Sequence, residues 1–141
     1  MNTLIAVFLF LIFLFLSTMH FYWAFGGRWG SQAVFPTTDD SIKPKMPGVL
    51  ATIIVAVALL LMGLFILSQT AVFNITIPLS INKYGLWFLV AIFIIRAIGE
   101  FNYLGFFKKI KHTKFGYNDT KYYSPLCLLI GILIIILALN K

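Results

Sequence analysis

The sequence predicts an all-α integral membrane protein, a bundle of four transmembrane helices that forms a single domain over residues 1–141. Of its 141 residues, 61% are hydrophobic and only 11% are charged, whereas a soluble domain is about half apolar and about a quarter charged. The mean hydropathy is +0.98. The sequence contains four apolar stretches, and a helix needs about 20 such residues to cross a bilayer core. These observations exclude a soluble globule, a disordered tail and a disulfide scaffold.

The first predicted span covers residues 4–25 and the second covers residues 48–67. The first contains an unbroken apolar run from Leu4 to Leu16 and is followed by two glycines, and glycine is common just past the C-terminus of a helix. The loop that follows contains three prolines, which discourage regular structure. In the second span, Thr52 is the only polar side chain.

The third and fourth spans are predicted over residues 84–107 and 122–139. Before the third span, apolar and polar residues alternate strictly from Phe73 to Asn82, and this period of two is typical of an extended segment. The fourth span has only 15 apolar residues in its core run, so it is expected to begin a few residues earlier. Asp119 or Thr120 is the expected N-cap, a position that favours short polar side chains.

The basic residues predict the orientation in the membrane. Eight basic residues lie in the first and third loops: Arg28, Lys43, Lys45, Lys108, Lys109, Lys111, Lys114 and Lys121. The other side of the membrane in the predicted topology carries only Lys83 and Lys141. Cytoplasmic loops are enriched in Lys and Arg, so these two loops are predicted to be cytoplasmic and both termini extracytoplasmic. This distribution explains the sequence pI of about 9.7 without a nucleic-acid partner.

Arg96 and Glu100 lie inside the predicted third span. Insertion of a charged residue at the centre of a membrane helix costs roughly 2.5 to 3.5 kcal/mol, so such residues need a partner or a function. Residues four apart share one face of a helix, and Tyr103 is close to the same direction. Two interpretations remain open: an ion pair that fixes helix packing, or a site in which Arg96 holds an anionic group and Glu100 orients it or exchanges a proton.

Three further residues are candidates for the same polar site. His20 lies near the cytoplasmic end of the first span, beside Trp23, although a histidine there can also hydrogen-bond within an aromatic belt. Asp119 is a lone acid in a lysine-rich loop and can close the cluster. No metal site is expected, because His20 and Glu100 fall short of the three or four protein ligands that zinc takes. The single Cys127 forms no internal disulfide.

Several motifs resemble those of one small bacterial integral-membrane family. They include the segments from Met19 to Gly27, from Arg96 to Lys108 and from Tyr123 to Cys127, together with Asp119-Thr120. In these motifs the chain resembles domain-of-unknown-function family thirty-nine ninety-five. The resemblance extends over nearly the whole length of the chain. The resemblance implies a multi-pass protein of the bacterial inner membrane and no particular activity. The family often carries Asp at the position of Glu100.

Three functional hypotheses follow. The favoured one is that an anionic membrane lipid or amphiphile binds in a polar pocket at the cytoplasmic leaflet, with ligand contacts from Arg96, Glu100, His20, Trp23, Tyr103 and Asp119. The second is a membrane-embedded enzyme that uses His20 and Glu100 as an acid–base pair. The third is an accessory subunit or a homo-oligomer whose charges pair across chains. No cofactor is expected, because no cofactor-binding motif is present.

Overall fold

A computed structural model describes residues 2–70 and 76–141, and it is all-α with no strand in this part of the chain. Four helical segments are long and apolar enough to cross a membrane. This confirms the predicted fold class, an all-α protein with four membrane helices. The helices are α1 (Asn2–Ala24), α2 (Ser31–Val34), α3 (Val49–Ser68), α4 (Leu79–Ile98), α5 (Lys114–Asn118) and α6 (Ser124–Leu139), and a π-helical turn (Asp119–Tyr123) joins α5 to α6.

The third helix differs most from its predicted range. The span predicted over residues 84–107 is helical only to Ile98, because Gly99 follows with a φ of +88°, a left-handed conformation that ends a helix. At its other end α4 already begins at Leu79, where the Asn82 amide donates to the Pro78 carbonyl. The extended conformation predicted for residues 79–82 is therefore wrong, and residues 73–75 of that segment lie outside the described residues.

The fourth span is longer than its predicted range of 122–139. The helical segment runs without a break over 26 residues, Lys114–Leu139. Thr113 is the residue that caps it, since its Oγ1 accepts a hydrogen bond of 3.0 Å from the Gly116 amide. The expectation that Asp119 or Thr120 is the N-cap is therefore wrong, and this frees both side chains for other contacts.

The chain divides into two compact units. The first comprises the described residues of Met1–Gly27, Pro47–Leu89 and Leu133–Lys141. In it α1 packs along α3. A Cβ on Gly63 would lie 2.9 Å from the Phe13 Cβ, and the buried Ser17 hydroxyl donates to the Ala56 carbonyl at 2.7 Å. Small residues permit close helix packing in a membrane, so close contact and the Ser17–Ala56 hydrogen bond both hold this pair together.

Polar residues close one end of the first unit. The Asn2 side chain donates to the Asn140 carbonyl at 3.1 Å, and the Lys141 ammonium donates to the side-chain oxygens of Gln69 and Asn82. These contacts place the two chain ends at the same end as the C-terminus of α3. An even number of spans requires such an arrangement, while the extracytoplasmic location of this end stays a prediction.

The second unit comprises Arg28–Met46 and Val90–Ile132. The segment before α3 is tied to α5 and the π-helical turn by tertiary hydrogen bonds: the Tyr123 hydroxyl donates to the Ala33 carbonyl at 3.0 Å, and the Lys114 amide donates to Asp40 Oδ1 at 2.8 Å. A Cβ on Gly131 would lie 2.9 Å from the Ile94 Cδ1, so α6 approaches α4 closely there. This unit contains four of the six predicted site residues.

Candidate functional site

Asp119 is the centre of a buried polar cluster in the second unit. Its side chain has no exposed surface. Oδ1 accepts a hydrogen bond of 2.9 Å from Arg96 Nη2, and Oδ2 accepts from three donors: the Gly105 amide at 2.8 Å, Lys108 Nζ at 2.9 Å and Ser124 Oγ at 3.1 Å. A buried charge must be paired and hydrogen-bonded, and this carboxylate is both.

Lys108 is the second fully buried member of the cluster. Besides Asp119, its ammonium donates to the Gly105 carbonyl at 2.9 Å and to Thr120 Oγ1 at 2.6 Å. An ammonium group has three N–H donors, and these contacts use all three. The Thr120 hydroxyl in turn donates to the Gly116 carbonyl at 3.2 Å. Lys108 therefore has no donor left for a ligand, and its role in the cluster is structural.

Arg96 differs from Lys108 because its guanidinium has donors that are not used. It lies in the last turn of α4 and its side chain keeps 29% of its surface exposed. Nη2 pairs with Asp119, whereas Nη1 is buried and has no hydrogen-bond partner among the described residues. Two cations and one carboxylate give the cluster a formal charge of +1. Among the charged groups of this cluster, Arg96 is thus the one that keeps a buried donor without an acceptor among the described residues.

The loop after α4 brings Gly105 and Lys108 to Asp119. Gly99 and Gly105 both have positive φ, +88° and +85°. They lie against the turned-back chain so closely that a Cβ on Gly99 would be 1.8 Å from the Leu104 carbonyl oxygen. The Phe106 amide donates to the Ala97 carbonyl at 2.9 Å, which closes the loop onto the end of α4. Only glycine fits both the conformation and the space at these two positions.

The π-helical turn places Asp119 beside Ser124. Its defining i to i+5 hydrogen bond runs from the Ser124 amide to the Asp119 carbonyl, so the two side chains project in similar directions along the helix. Single π-helical turns inside α-helices frequently occur at functional sites. Here the turn aligns the Ser124 hydroxyl with the buried carboxylate. In a regular α-helix, two side chains five residues apart would point in different directions.

Glu100 does not belong to this cluster. It follows the end of α4, it is exposed, and its Oε1 accepts a hydrogen bond of 3.1 Å from the Tyr103 amide. The expectation that it shares a helical face with Arg96 is therefore wrong, because Gly99 ends the helix between them. Glu100 instead stabilises the loop, and Tyr103 contributes its backbone amide to that turn.

His20 and Trp23 make local contacts on α1, in the first unit. His20 Nδ1 lies 2.7 Å from the Leu16 carbonyl oxygen, and its ring meets that of Trp23 edge to face with centroids 5.4 Å apart. A carbonyl oxygen can only accept a hydrogen bond, so Nδ1 carries the proton. His20 thus makes an intrahelical hydrogen bond, and its ligand contact stays a prediction.

Three side chains of the cluster, Lys108, Thr120 and Ser124, were not expected there from the sequence. Thr120 was considered only as a possible N-cap. In the prediction of membrane orientation, Lys108 is counted only among the cytoplasmic cations, although it directly follows Phe106 and Phe107. That apolar context was the available signal for a buried lysine. Ser124 had no signal in the sequence, because its alignment with Asp119 depends on the π-helical turn.

Comparison with known proteins gives a family and no activity. No curated protein and no solved structure matches the chain. The model of one family, a protein of unknown function designated DUF3995, matches residues 13–134. The match includes every residue of the Asp119 cluster and confirms the resemblance noted from the motifs. The chain therefore belongs to the DUF3995 family, whose function is unknown.

Proposed function

We propose that the protein binds an anionic lipid or amphiphile, and that the Arg96 guanidinium holds the acidic group of this ligand. The observation that carries the proposal is the buried Nη1 atom without a partner among the described residues. A buried donor left without an acceptor costs about 1 to 3 kcal/mol. An oxyanion at Nη1 removes that cost.

The charge of the cluster supports an anion rather than a neutral ligand. Arg96 and Lys108 carry two positive charges, and Asp119 supplies one negative charge. A phosphodiester or a carboxylate, each with one negative charge, brings the sum to zero. Arginine suits this contact because its planar group remains charged and presents several donors in a fixed geometry that matches an oxyanion.

Asp119 acts as a positioning residue in this proposal. Its two oxygens already accept four hydrogen bonds, and the contact with Nη2 fixes the plane of the Arg96 guanidinium. It does not contact the ligand, contrary to the role expected from the sequence. The proposal retains Arg96 as the ligand contact, while Glu100 and Tyr103 maintain the loop.

The proposal places the site at the cytoplasmic leaflet of a bacterial inner membrane. This placement depends on the excess of Lys and Arg in the two loops of the second unit and on the positive-inside rule. The acid–base alternative has no comparable support, because His20 and Glu100 each make a local hydrogen bond that explains their position.

Substitution Arg96→Lys tests the proposal. Lysine retains the positive charge and can still pair with Asp119, but it lacks the second planar nitrogen. Native mass spectrometry of the delipidated protein, titrated with phosphatidylglycerol or phosphatidylcholine, measures binding. We expect wild type to prefer phosphatidylglycerol and Arg96→Lys to bind it about tenfold more weakly, the effect of one charge-assisted hydrogen bond.

Lys109→Gln is the matched control, since Lys109 is an exposed cation in the loop that follows α4. It lowers the net charge without touching the cluster, and we expect its phosphatidylglycerol affinity to stay within twofold of wild type. Melting temperatures in detergent establish that both variants are folded. The proposal is overturned if folded Arg96→Lys binds phosphatidylglycerol as tightly as wild type, or if Lys109→Gln loses as much affinity.

A further inference from the structure

A basic pocket lies in the second unit, apart from the residues of the Asp119 cluster. Its volume is about 640 Å³, and its lining includes three cationic residues, Arg28, Lys43 and Lys114, and no acidic residue. Small-molecule sites typically have volumes of about 300 to 1,000 Å³. The pocket is therefore large enough for a phosphorylated headgroup or a small phosphorylated compound.

The three cations have no ion pair and no side-chain hydrogen bond with the described residues of the chain. The two acids of the first loop bind backbone amides: Asp39 Oδ1 accepts from Ser41 at 2.8 Å and Asp40 Oδ1 accepts from Lys114 at 2.8 Å. The hydrogen bonds from Ser41 also keep the pKa of Asp39 below its usual value. The positive charge of the pocket thus lacks an acidic partner in its lining.

Tertiary contacts hold these distant residues together. Arg28 and Lys43 belong to the first loop, whereas Lys114 begins α5. The Lys114 amide is itself a donor to Asp40, and His112 Nε2 lies 3.1 Å from the Thr38 carbonyl oxygen. The convergence of three cations is therefore a product of folding and not of a local run of lysines.

We infer that this pocket binds a phosphate group with two or more negative charges, carried by a lipid headgroup or by a soluble compound. Lysine ammonium and arginine guanidinium groups are the usual phosphate ligands of proteins. Three of them match a phosphomonoester or diphosphate better than a singly charged phosphodiester. Ser31 and Gln32 also line the pocket and supply neutral donors. The inference does not depend on the proposed role of Arg96.

Lys43→Gln and Lys45→Gln form a matched pair of variants for the test. Both lysines are exposed in the same loop, both changes remove one charge, and only Lys43 lines the pocket. Isothermal titration uses the full chain in neutral detergent with two probes. One is phosphatidic acid in mixed micelles, and the other is inorganic pyrophosphate without lipid.

We expect wild type to bind at least one probe, Lys43→Gln to bind it about tenfold or more weakly, and Lys45→Gln to stay within twofold. Lys114→Gln should repeat the loss seen for Lys43→Gln. Binding of phosphatidic acid alone identifies a lipid headgroup as the ligand, and binding of pyrophosphate identifies a soluble phosphate. Equal losses in Lys43→Gln and Lys45→Gln, or no binding of either probe by wild type, overturn the inference.

Discussion

The second unit contains two groups of cations whose surroundings are opposite. In the Asp119 cluster, Lys108 is buried and every one of its donors has an acceptor. In the basic pocket, Lys43 is exposed and no acid lines the cavity. The difference indicates that the cations beside the buried carboxylate are held in place by the fold, whereas the cations of the pocket have no acidic partner in its lining.

Arg96 shares features of both groups. Nη2 pairs with the buried Asp119, as Lys108 does, while Nη1 has no partner among the described residues. The same side chain is thus positioned by the fold and still has a nitrogen without a hydrogen-bond partner among the described residues. Substitutions that affect one group and not the other test this division.

Asp119→Asn has the largest expected effect on the cluster. It leaves Arg96 and Lys108 without their common counter-charge and turns an NH₂ group toward a set of donors. Loss of one partner of a buried ion pair lowers the free energy of unfolding by about 3 to 5 kcal/mol. The measurement is the unfolding transition in detergent. Asp39→Asn, at an exposed acid of the first loop, is the control, and similar losses for both variants would contradict the central role of Asp119.

Gly105→Ala tests the loop that brings Lys108 to the cluster. The new Cβ would lie 2.2 Å from the Ile98 carbonyl oxygen, at a φ of +85°. Strain and overlap together should lower the free energy of unfolding by about 2 to 4 kcal/mol. Gly48→Ala is the matched control, because no atom lies within 4 Å of its Cβ, and it should change stability by at most about 0.5 kcal/mol. Equal melting temperatures for the two variants would refute this account of the loop.

A lysine from each group gives the most direct comparison of the two. Lys108→Gln removes a fully buried ammonium with three acceptors, and it should lower the free energy of unfolding by about 2 to 3 kcal/mol. Lys43→Gln should leave it within about 0.5 kcal/mol, as for other exposed side chains. Chemical denaturation of the two variants measures both. A reversed order would show that the cluster and the pocket have been assigned the wrong roles.

Glu100→Gln has the smallest expected effect. The glutamine carbonyl oxygen can still accept the hydrogen bond from the Tyr103 amide, and the side chain is exposed. The free energy of unfolding should therefore change by no more than about 0.5 kcal/mol. A loss as large as that of Asp119→Asn, seen in the same unfolding assay, would show that Glu100 carries a buried contact.

The membrane fold was predictable because length and composition suffice for it. Runs such as α1 and α3 are long enough to cross a bilayer, and no tertiary contact is needed to recognise them. The end of α4 was not predictable, because a glycine inside a membrane span is common and only the loop beyond Gly99 decides whether the helix continues.

The candidate site was predictable only in part. Arg96 was singled out because a charge inside a membrane span requires a partner, and Asp119 because it is a lone acid in a lysine-rich loop. The structure joins the two. Glu100 was assigned to the same face on the assumption of an unbroken helix. Lys108 was overlooked because the positive-inside rule counts every loop lysine equally, whether it is exposed or buried.

A structure of the wild-type protein in phosphatidylglycerol nanodiscs tests the central claim most directly. If Arg96 Nη1 serves a ligand, non-protein density should lie about 3 Å from this atom, the usual length of an N–H···O hydrogen bond. Asp119 should remain in contact with Nη2. A protein acceptor at Nη1, or Nη1 facing only lipid tails with no headgroup within reach, would contradict the account.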